Sequence, residues 1–170
     1  MKLLCGTPIG EKERIPLPMK IIVTAGAIIK DKAGRILLQR RSDYGNWGLP
    51  GGGMVPGEAV EETMKREVLE ETGLEVHQSE FYAVYSGERM QYTYPDGNQV
   101  VFVMFLFHAE ADLGGKLNQD GQTLLFQDEA RESLQLQFFH LEDIELEQIS
   151  SVQRPVFEDL RKNLTTTLRT

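Results

Sequence analysis

The sequence predicts an α/β (α+β) domain, and three observations carry that expectation. Two β-branched, apolar regions occupy residues 20–41 and 81–107; one helix-patterned stretch, residues 52–74, lies between them; helical stretches close the chain after residue 141. At 170 residues and 41% hydrophobic, the chain can bury one core. It reads as a single domain over residues 20–170 behind an N-terminal lead-in, residues 1–19.

The lead-in, MKLLCGTPIGEKERIPLP, has Pro16 and Pro18, which favour extended backbone. Leu3-Leu4-Cys5-Gly6 faintly resembles a lipoprotein processing site, but no apolar run precedes it and Glu11 and Glu13 follow, so no signal sequence is expected. No run of about 20 apolar residues occurs, so no membrane partner is expected. The single cysteine, Cys5, cannot form an internal disulfide, which fits a reducing, cytoplasmic location. A net charge of −8 argues against nucleic acid or an anionic membrane as the main partner.

Residues 21–30 and 35–41, IIVTAGAIIK and RILLQRR around DKAG, carry a hairpin signal. The near-continuous apolarity of the first run predicts burial on both faces. Arg40 and Arg41 end the second run: either both are surface charge, or at least one contacts phosphate, which arginine binds in bidentate fashion. The stretch SDYGNWGLP, residues 42–50, is a loop by composition. Its Tyr44 and Trp47 either plug the core edge or stack on a base or sugar.

Residues 52–74, GGMVPGEAVEETMKREVLEETGL, organise the rest. At about 100° per residue, Val60, Thr63 and Met64 share a face with Glu67, Glu70 and Glu71. Three carboxylates at i, i+3 and i+4 repel one another, and a bound cation with oxygen ligands, such as Mg²⁺, removes that cost. The glycines at 51–53 and Pro56-Gly57 predict a loop leading in, Glu58, Glu61 and Glu62 crowd the first turns, and Gly73 predicts the helix end. Arg66 is spaced to bridge Glu62 and Glu70.

The series Gly52, Glu58, Arg66-Glu67-Val68, Glu70-Glu71, Gly73-Leu74 resembles the Nudix box, with every defining position filled. The flanks from about residue 20 to 163 resemble that family's fold, an α/β/α sandwich with a mixed sheet between helices. The resemblance implies hydrolysis of a diphosphate linkage with Mg²⁺ (or Mn²⁺) held by Glu67, Glu70, Glu71 and the carbonyl of Gly51, with Glu58 and Arg66 fixing carboxylates. It implies a small-molecule nucleotide as partner and a homodimer as assembly. A nucleoside diphosphate joined to another moiety, such as a nucleotide sugar or ADP-ribose, is the expected substrate; an oxidised nucleoside triphosphate is the alternative.

Beyond the helix, residues 81–88, 90–94 and 100–107 read as strands around a turn at Pro95-Asp96-Gly97-Asn98. Tyr92 and Tyr94 either line a substrate pocket or pack in the core or an interface. Residues 114–128 read as a polar loop, LQLQFF at 134–139 as a strand, and Pro155 as a helix start. The resemblance implies a further acid in the loop before that strand or on a neighbouring strand; Glu132 is the first candidate for assisting catalysis, Glu129 and Asp128 the others. Other readings fit less well. An isopentenyl-diphosphate isomerase needs a pocket cysteine, and Cys5 precedes the fold. A sensing regulator needs an added helix-turn-helix, and an RNA-decapping enzyme a basic aromatic surface. A non-catalytic binding module requires an intact acidic cluster without function.

Overall fold

A computed structural model of the chain describes residues 19–126 and 132–170. The expected lead-in up to residue 18, and the candidate acids Asp128 and Glu129, lie outside the described residues.

The β-branched run at the start forms β1 (Lys20–Ile29), which pairs antiparallel with β4 (Gly51–Gly53) and parallel with β7 (Gln99–Ala111). The sheet continues through β5 (Val76–Tyr85) to β9 (Leu168–Arg169), in the order β4-β1-β7-β5-β9, while β6 (Gln91–Thr93) also pairs with β7. Two pairs, β1 with β7 and β5 with β9, are parallel and the rest antiparallel, which makes a mixed sheet. A second sheet, ordered β3-β2-β8, consists of β2 (Ile36–Arg41), β3 (Trp47–Gly48) and β8 (Ser133–Phe139).

The hairpin expected at residues 21–41 is only a turn. Asp31 and Arg35 close it with an ion pair of 2.6 Å, and Lys30 bridges Ile36. The strands then part into different sheets, because β4 and β7 occupy both edges of β1.

Alternation along the strands gives the large sheet two apolar faces. Ala25, Ala27, Ile29 and Phe107 pack against Met64 and Val68 of α1 (Val60–Thr72). Ile28, Tyr85, Met104 and Leu106 pack on the other face against Val156 and Phe157 of α2 (Arg154–Arg161). The layering of helix, mixed sheet and helix is therefore present, and the small sheet adds to it: Leu38 joins the α2-side core, Leu37 and Phe138 the α1-side core.

Other segments depart from expectation. β5 begins at Val76, five residues earlier than the apolar pattern suggests, because His77, Gln78 and Glu80 of the early strand are exposed. The turn before β7 closes as expected, with Tyr94 N–H donating to the Asn98 carbonyl at 2.8 Å. The polar stretch after β7 folds back onto the small sheet: Thr123 bridges Gln137 and Leu124 is buried. Pro155 sits in the first turn of α2, where no N–H is needed.

Strand β9 went unforeseen. Its Arg169, 3% exposed, donates to the Leu164 carbonyl at 2.8 Å and lies over the Tyr82 ring at 5.6 Å, close to buried Asp159. The chain end thereby clasps β5 onto the α2-side core. Truncating Phe157, fully buried in that core, to alanine should destabilise the domain by about 3–5 kcal/mol in urea denaturation, with the fold retained at low denaturant.

Candidate active site

The site begins with three glycines. In the β1–β4 register, Ala27 N–H donates to the Pro50 carbonyl and Met54 N–H to the Val23 carbonyl, so Gly51 and Gly53 turn polar atoms toward α1. Gly51 N–H donates to a Glu71 carboxylate oxygen at 2.8 Å, and the Gly53 carbonyl accepts from Arg66 at 2.9 Å. Larger residues do not fit. A side-chain carbon at Gly51, where φ is +145°, would collide with the Ala25 carbonyl and the Gly26 backbone; at Gly52 it would enter the Glu67 carboxylate.

Both ends of α1 are fixed. Glu62 accepts from Ala59 N–H at 2.8 Å, half of a capping box. At the far end Gly73 adopts φ +69° and donates to the Leu69 carbonyl at 2.8 Å, while the Lys116 ammonium caps the Gly73 carbonyl at 2.9 Å. The helix starts at Val60, so Glu58 lies before it rather than in its first turn. The buried stripe is Thr63, Met64, Val68, Glu71 and Thr72; Glu67 stands at its border and Glu70 is exposed.

Arg66 is the hub. Its guanidinium holds Glu58 through two bonds, 2.6 and 3.0 Å, Glu67 at 2.8 Å and Glu70 at 3.1 Å. The expected bridge to Glu62 is absent, because Glu62 is committed to the helix cap. Arg66 holds the Glu58 carboxyl down at about 2, aided by bonds from Val55 N–H and the Thr63 hydroxyl, and the paired carboxylates raise Arg66 in turn.

Around these groups lies a cavity of about 310 Å³, lined by Gly51–Gly53, Glu67, Glu70, Glu71, Glu132 and Arg41. The predicted acids thus converge, Glu132 among them. A second cleft of about 300 Å³ opens beside it, sharing Arg41 and Gly51–Gly53. The large sheet gives it an apolar floor that includes Ile22, Phe102 and Met104, and Tyr44, Tyr92 and Tyr94 form one wall. Their rings meet edge to face, Tyr92 against Tyr94 at 5.0 Å and against Tyr44 at 6.5 Å.

The structure separates the two arginines. Arg41 stands at the junction of both cavities, gripping Asp43 through bonds of 3.1 and 2.9 Å. Arg40 points elsewhere, donating to the Gly45 carbonyl at 3.2 Å, and lines neither cavity. Trp47 also stays out of both; its ring packs edge-on against Phe139 at 5.0 Å at the core border. Sequence reading missed Asp43 and Gln153. Gln153 lines the cleft and accepts from Leu49 N–H at 2.6 Å, which ties the loop before the glycines to α2. Nothing local in the sequence marks that contact between residues 104 apart.

The family profile described as the NUDIX domain matches residues 20–160. The chain belongs to the Nudix family. It is 31% identical over 107 residues to an 8-oxo-dGTP diphosphatase of Haemophilus influenzae, covering 61% of this chain and 73% of that one. Two further curated relatives are spanned over only 44% and 47% of their length. Among solved structures, a MutT protein from Methanosarcina mazei superposes with a TM-score of 0.61 at 25% identity, covering 87% of this chain and 98% of that one. An ADP-ribose pyrophosphatase from Streptococcus suis does so with a TM-score of 0.56 at 25% identity, covering 88% and 98%. Among the described residues, no helix is long and apolar enough to cross a membrane.

The donor chemistry of this Nudix site fits a hard divalent cation. Four carboxylates face one cavity whose sole lining cation among the described residues, Arg41, is engaged by Asp43. Burial pushes the Glu71 carboxyl up to about 7, against the pull of the Gly51 N–H bond, and burial likewise raises Glu67. No three acidic or histidine side chains among the described residues form a ready-made metal cage; Glu67 and Glu70 instead share the same Arg66 nitrogen. Each of the two gives Arg66 one oxygen, Glu67 Oε1 and Glu70 Oε2, and keeps its other oxygen clear of that guanidinium.

The raised Glu71 group makes a pH prediction for the metal-free domain. Its folded value exceeds the ordinary 4.5, so the folded state holds the proton more tightly. Stability therefore falls as pH rises from about 4.5 to about 7, and the full cost, roughly 3 kcal/mol, persists above. Glu71→Gln keeps an acceptor for Gly51 N–H. In EDTA it should match the wild type near pH 4.5 and exceed it in urea denaturation at pH 8.

Proposed function

We propose that this Nudix domain is a metal-dependent pyrophosphohydrolase. It cleaves the diphosphate of a nucleoside diphosphate joined to another moiety, of the nucleotide-sugar or ADP-ribose type, to give a nucleoside monophosphate and a second phosphorylated product. The observation that carries this reading is the joining of two cavities, one acidic and one walled by tyrosines, across Arg41 and the glycine strand. A diphosphate needs the first, and a planar base or sugar fits the second.

Glu67, Glu70, Glu71 and the Gly51 carbonyl would hold Mg²⁺, with Mn²⁺ suited to the same oxygens. When bound, the ion supplies charge neutralisation at the phosphate oxygens and an acidified water. The chain's own groups do the rest. Arg41 turns from Asp43 to phosphate oxygens, which a planar guanidinium binds in bidentate fashion. Glu132, or Glu67, takes the proton of the attacking water; both line the acidic cavity. Arg66, anchored by Glu58, keeps α1 carboxylates in register with the glycine strand. Tyr44, Tyr92 and Tyr94 offer ring faces and hydroxyls to the nucleoside part.

A second reading, pyrophosphate release from an oxidised nucleoside triphosphate, is favoured by the name of the Haemophilus influenzae relative. The acidic cavity serves both substrates alike.

A panel of nucleotide sugars, ADP-ribose, dinucleoside polyphosphates and oxidised dNTPs, assayed with Mg²⁺ and product analysis, separates them. Monophosphate plus sugar phosphate is the expected result; pyrophosphate from an oxidised dNTP would establish the second reading. Glu70→Gln and Glu71→Gln should each lower kcat by about 10²–10⁴-fold with circular dichroism unchanged. Near-normal rates in both variants would refute the assignment of these carboxylates.

A further inference from the structure

Among the described residues that line the tyrosine-walled cleft, Asp43 is the one acid and Arg41 the one cation. The acidic cavity beside it includes Arg41 but not Asp43. The loop after β2 thus sets its side chains in an order. Arg41 stands at the junction, Asp43 grips it within the cleft, and Tyr44 meets Tyr92 on the cleft wall. A nucleotide runs in the same order, from phosphate through ribose to base. With phosphate at Arg41 and the base against the tyrosine rings, the group left for Asp43 is the sugar.

The chemistry of Asp43 suits that place. Desolvation works against its charge, but the bonds from Arg41 and from Tyr44 N–H outweigh it and hold the carboxyl below its ordinary value. At neutral pH it is a carboxylate, which accepts hydrogen bonds and donates none. Arg41 Nε and Tyr44 N–H donate to Oδ1 at 3.1 and 2.8 Å, and Arg41 Nη2 donates to Oδ2 at 2.9 Å. The side chain is 40% exposed, so a ligand in the cleft can reach it. Its charge repels phosphate, so the part of a substrate that enters the cleft is the uncharged part.

We infer that Asp43 accepts the 2′- and 3′-hydroxyls of a ribose and makes the site selective for ribonucleotides over 2′-deoxyribonucleotides. This role rests on the nucleotide reading above and favours the first of its two forms, since ADP-ribose carries ribose and an oxidised dNTP deoxyribose. Once Arg41 turns to phosphate, each Asp43 oxygen has a site open, and a vicinal diol fills both. Asn46 and Ser150 also line the cleft, but a neutral acceptor makes the weaker bond to a hydroxyl. A 2′-deoxy sugar forfeits one charge-assisted bond, a loss of about 10–100-fold in affinity.

Isothermal titration calorimetry on the full chain tests this without need of turnover. The probes are ADP against dADP and UDP against dUDP, in Ca²⁺, which takes oxygen ligands as Mg²⁺ does. In at least one pair the ribose form should bind about 10–100-fold more tightly. In Asp43→Ala that ratio should fall to about threefold or less, with circular dichroism unchanged. The substitution also releases Arg41, which acts on both sugars alike, so the ratio is the readout rather than the affinity. Equal binding of the two sugars by the wild type, or binding of none of the four probes, overturns the inference. A ribose preference that survives Asp43→Ala overturns it too, because another group then reads the sugar. So does the loss of a base preference alone, because Asp43 then accepts from a base amino group. Cleavage is scored apart: ribose selectivity through Asp43 without hydrolysis of any panel nucleotide refutes the proposed activity and leaves this role standing.

Discussion

The hydrogen bond at the heart of the site runs from Gly51 N–H to the buried Glu71 carboxylate, 2.8 Å long. Glu71 is only 3% exposed, and a carboxylate so buried persists only with donors around it. The glycine strand supplies one, and it can do so because β4 lies tight between β1 and α1. That closeness explains Gly51 and Gly52 sterically, for any side chain there meets β1 or Glu67. It also explains why Arg66 reaches the Gly53 carbonyl while gripping three carboxylates. Helix, strand and acids form one unit in which each position depends on the others.

How much of this is legible in the sequence depends on the range of the interactions. Helix α1, its Gly73 end and the convergence of Glu67, Glu70 and Glu71 follow from spacing alone, since neighbours at three and four residues are fixed by helical geometry. The exact partners of Arg66 do not follow. Spacing offered Glu62, but Glu62 is consumed by the Ala59 cap and Glu58 folds back from before the helix. The β1–β2 pairing failed for a similar reason: local pattern proposes a hairpin, while the competition of β4 and β7 for the edges of β1 is non-local. Strand β9, two residues long, has no periodicity to detect; its place is set by Arg169 burying against Tyr82 and Asp159. Arg40 and Arg41 are adjacent in sequence, yet the register shifts between them, and only the structure sends Arg40 to the Gly45 carbonyl and Arg41 to the cavities.

The small sheet deserves a role of its own. By carrying Arg41 on β2 and Glu132 just before β8, it brings two charged groups to the rim of an acidic centre built on the large sheet and α1. Ser42 N–H donates to the Glu132 backbone carbonyl at 2.8 Å, so the two segments that bear these groups are fastened to each other. The tyrosine-walled cleft is lined by the large sheet, by the loop that follows β2 and by residues 150–153 ahead of α2. Gln153, bonded to Leu49, fixes the last of these walls to the segment that leads into the glycine strand.

Charge sets the order in which such a site can fill. A diphosphate entering the acidic cavity alone meets Glu67, Glu70, Glu71 and Glu132 on a chain of net charge −8. Among the described residues, the two nearest arginines are both spoken for: Arg41 by Asp43, and Arg66 by Glu58, Glu67 and Glu70. At an effective dielectric constant near 20, one unit of like charge about 4 Å away costs roughly 4 kcal/mol, so each carboxylate here that is ionised beyond what Arg66 offsets opposes anion entry. On the proposed reading, a cation must enter first or arrive with the phosphate. Glu67, Glu70 and Glu71 would hold that cation, which would offset their charge and favour the ionised form of Glu71. On that reading, the acidity of the site ties phosphate binding to a cation, because neither nearby arginine is free of carboxylate partners.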